Sequence, residues 1–192
     1  MTEEQAKSLI QMMGGKGIQF EYGLSTDEVA KVEKRFDLHF PPDLKLFLQS
    51  ALPISEGFID WRSGLNSVRQ AAQIKARIKW PLEGMLFDLR ENNFWVPSWG
   101  EKPDTYMERE QIARVKYVTY PKLIPIFSHR YLPSRPSLIG NPVLSVYQMD
   151  IVLYGYDLPS YLANEFHLKL PDGLDILDQP KREIEFWGDW IS

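Results

Sequence analysis

Three short β-prone runs in the C-terminal half constrain the fold most strongly. They are residues 124–127 (IPIF), 143–147 (VLSVY) and 151–154 (IVLY), and only three residues separate the last two. Two strands joined by so short a connection pair antiparallel, because a parallel crossover needs a dozen residues or more. The sequence therefore predicts a hairpin within a mostly antiparallel sheet.

Helical patterns flank these strands. Ser25 and Glu28 have the spacing of a capping box, and the apolar residues that follow repeat at the interval of one helical face over residues 26–36. A second short helix follows Pro41-Pro42, since proline is tolerated in a first turn. Further helices are predicted at 66–79, 104–117 and 158–167, and a first strand at 57–61. The predicted fold class is α+β, with a mostly antiparallel sheet flanked by helices.

Length and composition favour one folded domain. The chain has 192 residues, of which 44% are hydrophobic and 25% charged, values typical of a globular protein and not of a disordered one. We predict a single domain over residues 1–192. Residues 1–20 are interpreted as an N-terminal extension, and residues 172–192 as an acidic, aromatic tail docked on the body.

Charge and cysteine content exclude several classes of function. The chain carries 22 Lys and Arg against 26 Asp and Glu, a net charge of −4, and the tail with six acids and two bases holds all of it. A neutral body lacks the positive field that general nucleic-acid binding needs. The absence of cysteine excludes disulfides and thiolate chemistry.

The sequence also bears on localisation. Residues 1–13 have no apolar core of the kind that a secretory signal contains. The longest apolar stretch, 142–156, is interrupted by Gln148 and Asp150, so a membrane span is not expected. We expect a cytoplasmic protein.

Aromatic residues surrounded by acids suggest a protein interface in the middle of the chain. Such an arrangement suits a basic partner, whereas the alternative is that the tryptophans simply fill the core. The candidate interface residues are Asp60, Trp61, Glu91, Trp95, Trp99 and Asp104.

A second candidate site is the basic cluster of His129, Arg130 and Arg135, predicted to lie in a loop between two strands. It could contact an anion, and the alternative is a solvated loop whose arginines pair with nearby carboxylates. None of the three histidines has metal-ligand spacing, and the sequence has no Gly-x-Ser-x-Gly motif. We therefore expect no metal site, no cofactor and no catalytic group.

The order of several short motifs resembles the SMI1/KNR4 family, also called the SUKH superfamily. These motifs are 23–29 (GLSTDEV), Glu33, 40–44 (FPPDL), 47–48 (FL), 123–126 (LIPI), 140–146 (GNPVLSV), 150–155 (DIVLYG), 157–158 (DL), 161–162 (YL) and 165–166 (EF). The resemblance implies an α+β domain that binds another protein. Bacterial members are regarded as immunity proteins that neutralise toxins, and the fungal founding member is linked to cell-wall synthesis.

Three functional hypotheses follow. The first is a non-catalytic immunity protein that binds a toxin domain. The second is a regulatory or scaffold protein in cell-envelope synthesis. The third, ranked last, is an enzyme that acts on a small anion through His129, Arg130 and Arg135.

Overall fold

Seven helices surround a four-stranded and a two-stranded antiparallel sheet in the computed structural model, which describes residues 1–170 and 182–191. The helices are α1 (Glu3–Gly15), α2 (Thr26–Phe36), α3 (Pro42–Ser50), α4 (Trp61–Asn66), α5 (Val68–Glu91), α6 (Tyr106–Tyr117) and α7 (Leu158–Glu165). The strands are β1 (Phe20–Tyr22), β2 (Ala51–Pro53), β3 (Leu123–Phe127), β4 (Arg130–Pro133), β5 (Val143–Tyr147) and β6 (Asp150–Gly155). The predicted α+β class is confirmed. None of these helices is both long enough and apolar enough to cross a membrane.

The larger sheet is a meander in the order β3-β4-β5-β6. The predicted hairpin is confirmed, because Tyr147 pairs with Asp150 and Gln148 takes a left-handed φ of 57° in the turn. Along β5, Leu144 and Val146 are buried, whereas Tyr147 points to solvent. The alternation follows the pleat of a strand with one face on the core.

Each outer strand of this sheet gains one isolated residue pairing. Phe58 pairs antiparallel with Phe127 beside β3, and Ile191 pairs parallel with Ile151 beside β6. Segments distant in sequence therefore lie along both margins of the sheet.

Local sequence signals account for α2 and α3. The Ser25 hydroxyl accepts a hydrogen bond from the Glu28 N–H at 3.1 Å, and the Glu28 carboxylate accepts one from the Ser25 N–H at 2.8 Å. The predicted capping box is thus present, and α2 ends at Phe36 as expected. Pro42 occupies the first turn of α3, where its missing N–H costs no helical hydrogen bond.

Residues 1–20 contain structure that the sequence did not predict. Ala6, Leu9 and Met13 on α1 are fully buried, so this helix is part of the core. β1 and β2 form the two-stranded sheet, with Phe20 opposite Pro53. Strands of three residues are too short for an alternating pattern to reveal them.

The strand predicted at residues 57–61 is wrong. Phe58 makes only the isolated bridge to β3, and α4 begins at Trp61. The Asp60 carboxylate accepts a hydrogen bond from the Ser63 N–H at 2.9 Å and so caps this helix. The cap turns the chain into a helix despite its β-prone composition.

Helix α5 runs past the predicted end at residue 79 and continues through Pro81 to Glu91. A proline inside a helix provides no N–H for the carbonyl four residues earlier, here that of Arg77. The Tyr131 hydroxyl donates a hydrogen bond to this carbonyl at 3.0 Å. The sheet thus supplies the donor that Pro81 lacks, which allows the helix to continue.

Two contacts hold α5 against the β5–β6 turn. A Cβ built on Gly84 would lie 2.6 Å from the Cα of Gln148, so a glycine is required for this close approach. The Asp88 carboxylate accepts a hydrogen bond from the Met149 N–H at 2.8 Å. These contacts fix the position of α5 relative to the hairpin.

Residues 182–191 pack against the second of two hydrophobic clusters, which also includes parts of α5, α6 and the larger sheet. Trp187 is fully buried and donates its Nε1–H to the Pro121 carbonyl at 2.7 Å. Phe186 stacks on Tyr120 with 3.7 Å between ring centroids. The rest of the predicted tail, residues 172–181 and 192, lies outside the described residues.

Candidate binding site

The structure corrects the predicted aromatic interface at Asp60 and Trp61. Trp61 is 1% exposed and packs edge-on against Phe36 and Phe40, with ring centroids 5.7 and 5.2 Å away. The Asp60 carboxylate caps α4. Trp61 is therefore a core residue that no partner can contact in this fold. The prediction was wrong here because aromatic content alone does not distinguish core from interface.

The other predicted interface residues have mixed environments. Trp99 is 8% exposed, donates its Nε1–H to the Tyr120 hydroxyl at 2.6 Å and packs against Trp95 at 5.2 Å. Glu91 pairs with the neighbouring arginine of α5, and Asp104 is exposed. Trp99 mainly fills the second hydrophobic cluster. The six predicted residues do not form one surface.

The predicted anion cluster does not converge either. Arg130 is 8% exposed on β4, pairs with the Glu165 carboxylate at 3.2 Å and donates to the Ser145 hydroxyl at 2.9 Å. Its charge is thus already matched within the chain. Arg135 lines a separate cavity of about 430 Å³ that neither His129 nor Arg130 lines. The prediction missed that residues 130–133 form a buried strand and not a loop.

A different pocket brings His129 together with residues that the sequence did not single out. Its volume is about 260 Å³. It is lined by Arg77, Trp80, Ser128, His129, Tyr131 and Tyr147. We refer to this set as the Arg77 pocket.

Three parts of the fold build the Arg77 pocket. Arg77 and Trp80 are three residues apart and therefore lie on one face of α5. His129 comes from the β3–β4 turn, while Tyr131 and Tyr147 come from β4 and β5. The hydrogen bond from Tyr131 to the Arg77 carbonyl ties the helical wall to the sheet.

The pocket is positively charged. No carboxylate in the described part of the chain pairs with the Arg77 guanidinium, and its Nη2 atom is buried with no hydrogen-bond partner there. Burial, together with the positive charges of Arg130 and Arg77, lowers the pKa of His129. Burial raises the pKa of the Tyr131 hydroxyl, which therefore stays protonated and able to donate at neutral pH.

Aromatic side chains form the rim. Trp80 is 48% exposed and Tyr147 is 59% exposed. The pocket thus combines a partly desolvated cation with apolar surface, and it is suited to a ligand that carries both an anion and an apolar part. The Ser128 hydroxyl lies 3.1 Å from His129 Nδ1.

Sequence reasoning found only His129 among the lining residues. The signal that could have indicated Tyr131 is Pro81 inside an amphipathic helical pattern, because such a proline requires an outside donor. Over residues 1–170 and 182–191, no group of three His, Asp or Glu side chains is arranged to hold a metal ion.

The fold and the pocket together describe an α+β protein with a surface pocket lined by an arginine, a histidine and aromatic side chains. No protein-family model matches this chain, and no curated protein or solved structure matches it.

Proposed function

We propose that this chain is a non-catalytic protein-binding module, an immunity protein that neutralises a bacterial toxin by stoichiometric association. The observation that carries the proposal is the Arg77 pocket, where exposed Trp80 and Tyr147 flank a cation without a counter-ion in the described chain. Arginine, tryptophan and tyrosine dominate binding energy in protein interfaces.

The motif resemblance to the SMI1/KNR4 family supports the immunity role. Two of the resembling segments, 23–29 and 150–155, lie at the capped start of α2 and along β6. They shape the scaffold and do not line the Arg77 pocket. The choice of partner would then depend on residues outside these motifs.

The chemistry of the pocket favours binding over turnover. A serine nucleophile needs a histidine base that a third, acidic group orients. Ser128 and His129 are adjacent, but no carboxylate lines their pocket, and Glu165 is engaged by Arg130. This pair is therefore not arranged as an activated nucleophile.

Affinity purification of the tagged full chain from its source cells, followed by mass spectrometry, tests the proposal. We expect one toxin-like partner at a stoichiometric ratio, and we expect the purified chain to inhibit that partner at a 1:1 ratio. The double variant Trp80→Ala/Tyr147→Ala should lose the partner. The matched control Met107→Ala/Val115→Ala, which removes exposed apolar side chains of α6 outside the pocket, should keep it.

Two results would contradict the proposal. Capture of cell-envelope enzymes without any toxin would replace immunity with regulation. Turnover in a broad hydrolase screen that a single alanine substitution abolishes would replace binding with catalysis.

A further inference from the structure

We infer that the Arg77 pocket receives an acidic side chain, the carboxylate of an aspartate or glutamate, from the partner protein, while Trp80 and Tyr147 pack on the residues beside it. The inference rests on the proposed function and adds the chemical class of the group that is bound.

A comparison with the hydrogen-bond partners of the other arginines indicates that Arg77 lacks an anionic partner in the described chain. Four other arginines in the described residues are not fully exposed, and each donates to an oxygen of the chain. They are Arg62 to Glu28, Arg109 to the Thr105 carbonyl, Arg130 to Glu165 and Arg182 to Asn141. Arg77 differs from them, because its side chain contacts the Tyr131 hydroxyl but its buried Nη2 atom has no hydrogen-bond partner in the described chain.

Desolvation makes this exception significant. A guanidinium with a buried N–H group that lacks an acceptor is costly, and an anion that enters the pocket relieves the cost. The planar guanidinium matches a carboxylate with two parallel hydrogen bonds. Glu83 and Asp150, acids on the neighbouring parts of α5 and β6, lie outside the pocket lining and leave room for an external carboxylate.

The rim favours a protein as the source of the carboxylate. A free inorganic anion would leave the apolar surfaces of Trp80 and Tyr147 in water, whereas a polypeptide covers them. Lys75 and Lys79 are also exposed on α5 and add positive charge to this helix. Such charges accelerate the encounter with an acidic surface.

A nuclear magnetic resonance titration of the full chain tests the inference without a known partner. The probe is N-acetyl-glutamate N-methylamide, whose only charge is its side-chain carboxylate. We expect saturable shifts of the Arg77 Nε–Hε and Trp80 indole signals with this probe and none with the glutamine analogue. Shifts no larger than those of the Arg69 Nε–Hε signal would overturn the inference.

Variants give the matched controls. Arg77→Gln should abolish the shift of Trp80, whereas Arg69→Gln should preserve it, because Arg69 is exposed on the same helix and lies outside the pocket. Arg77→Gln should also fold, since the hydrogen bond from Tyr131 to the backbone carbonyl at position 77 does not depend on the side chain there. Arg77→Lys should retain part of the shift, and a circular dichroism spectrum checks the fold of each variant.

Inorganic phosphate and a peptide copy of residues 172–178 provide the competing occupants. If phosphate produces the same shifts at lower concentration than the glutamate probe, the pocket is a general anion site and the inference is wrong. If only the peptide binds, a segment of this protein itself is the occupant, and the inference is again wrong.

The captured partner separates this inference from the proposed function. We expect Arg77→Gln to weaken the complex about tenfold or more, the usual effect of removing one member of a close charge pair, and Arg69→Gln to leave it unchanged. Replacing the paired acid of the partner with its amide should cause the same loss, and the two changes should not add. A stoichiometric complex that Arg77→Gln leaves intact would overturn the inference but keep the proposed function.

Discussion

The hydrogen bond from Tyr131 to the Arg77 carbonyl leads to a quantitative prediction. Because Pro81 provides no N–H, this bond is the one that satisfies the carbonyl in α5. Tyr131→Phe keeps the ring and removes only the hydroxyl group. This substitution should lower the free energy of unfolding by about 1–2 kcal/mol. The value lies between the net contribution of a neutral hydrogen bond and the cost of a buried acceptor without a partner.

A second substitution isolates the cause of this loss. In Pro81→Ala, the new N–H at position 81 can bond the Arg77 carbonyl in the ordinary helical way. Tyr131→Phe should then cost only about 0.5 kcal/mol or less, because the carbonyl keeps a partner. The double-mutant cycle should therefore yield an interaction energy of about 1 kcal/mol.

Urea unfolding followed by the fluorescence of the six tryptophans measures all four proteins. With a slope of about 2 kcal/mol per molar urea, Tyr131→Phe should lower the unfolding midpoint by about 0.5–1 M. If Tyr131→Phe lowered the free energy of unfolding by the same amount in the Pro81→Ala background, to within about 0.5 kcal/mol, the two sites would be independent. That result would refute this account of the helix.

Three further predictions concern the scaffold. Arg62 and the Ser25 N–H hold the pKa of Glu28 at about 2, so Arg62→Met should cost about 2 kcal/mol at pH 7. Urea midpoints should show the gap to the wild type shrinking as the pH falls from about 4.5 to 2, because the unfolded chain takes up the proton on Glu28 near pH 4.5 and the folded wild type only near pH 2. Asp43→Ala removes the buried acceptor of two backbone N–H groups and should lower stability in urea by about 2 kcal/mol, whereas Asp43→Asn should cost less. Gly84→Ala should lower the thermal midpoint, because its Cβ would lie 2.6 Å from the β5–β6 turn, while Gly14→Ala, with no atom within 4 Å, should raise it.

Elements encoded by neighbouring residues could be predicted from the sequence. The capping box at Ser25 and the turn between β5 and β6 depend on residues a few positions apart, and both have the predicted form. The prediction of a strand at 57–61 was wrong because the helix cap at Asp60 outweighed the β-propensity of the residues around it. Propensity is a weak guide wherever a single side chain can redirect the backbone.

The candidate site could not be predicted in the same way. Arg130 and Arg77 look alike in sequence, and only the fold supplies Glu165 to the first and leaves the second without a carboxylate in the described chain. Likewise, Trp61 and Trp80 differ in exposure because of what packs over them. Pairing and burial depend on contacts between residues dozens of positions apart, which local patterns do not encode.

The isolated residue pairings at the two edge strands of the larger sheet affect the tendency of the protein to aggregate. An uncovered strand margin offers N–H and C=O groups to other molecules and invites open-ended polymerisation. Ile191 covers part of the β6 edge through its pairing with Ile151. It belongs to the same segment as Trp187, whose hydrogen bond to the Pro121 carbonyl holds this segment on the body. Cutting the chain before residue 182 should therefore both weaken the fold and promote the growth of fibrils from the β6 margin.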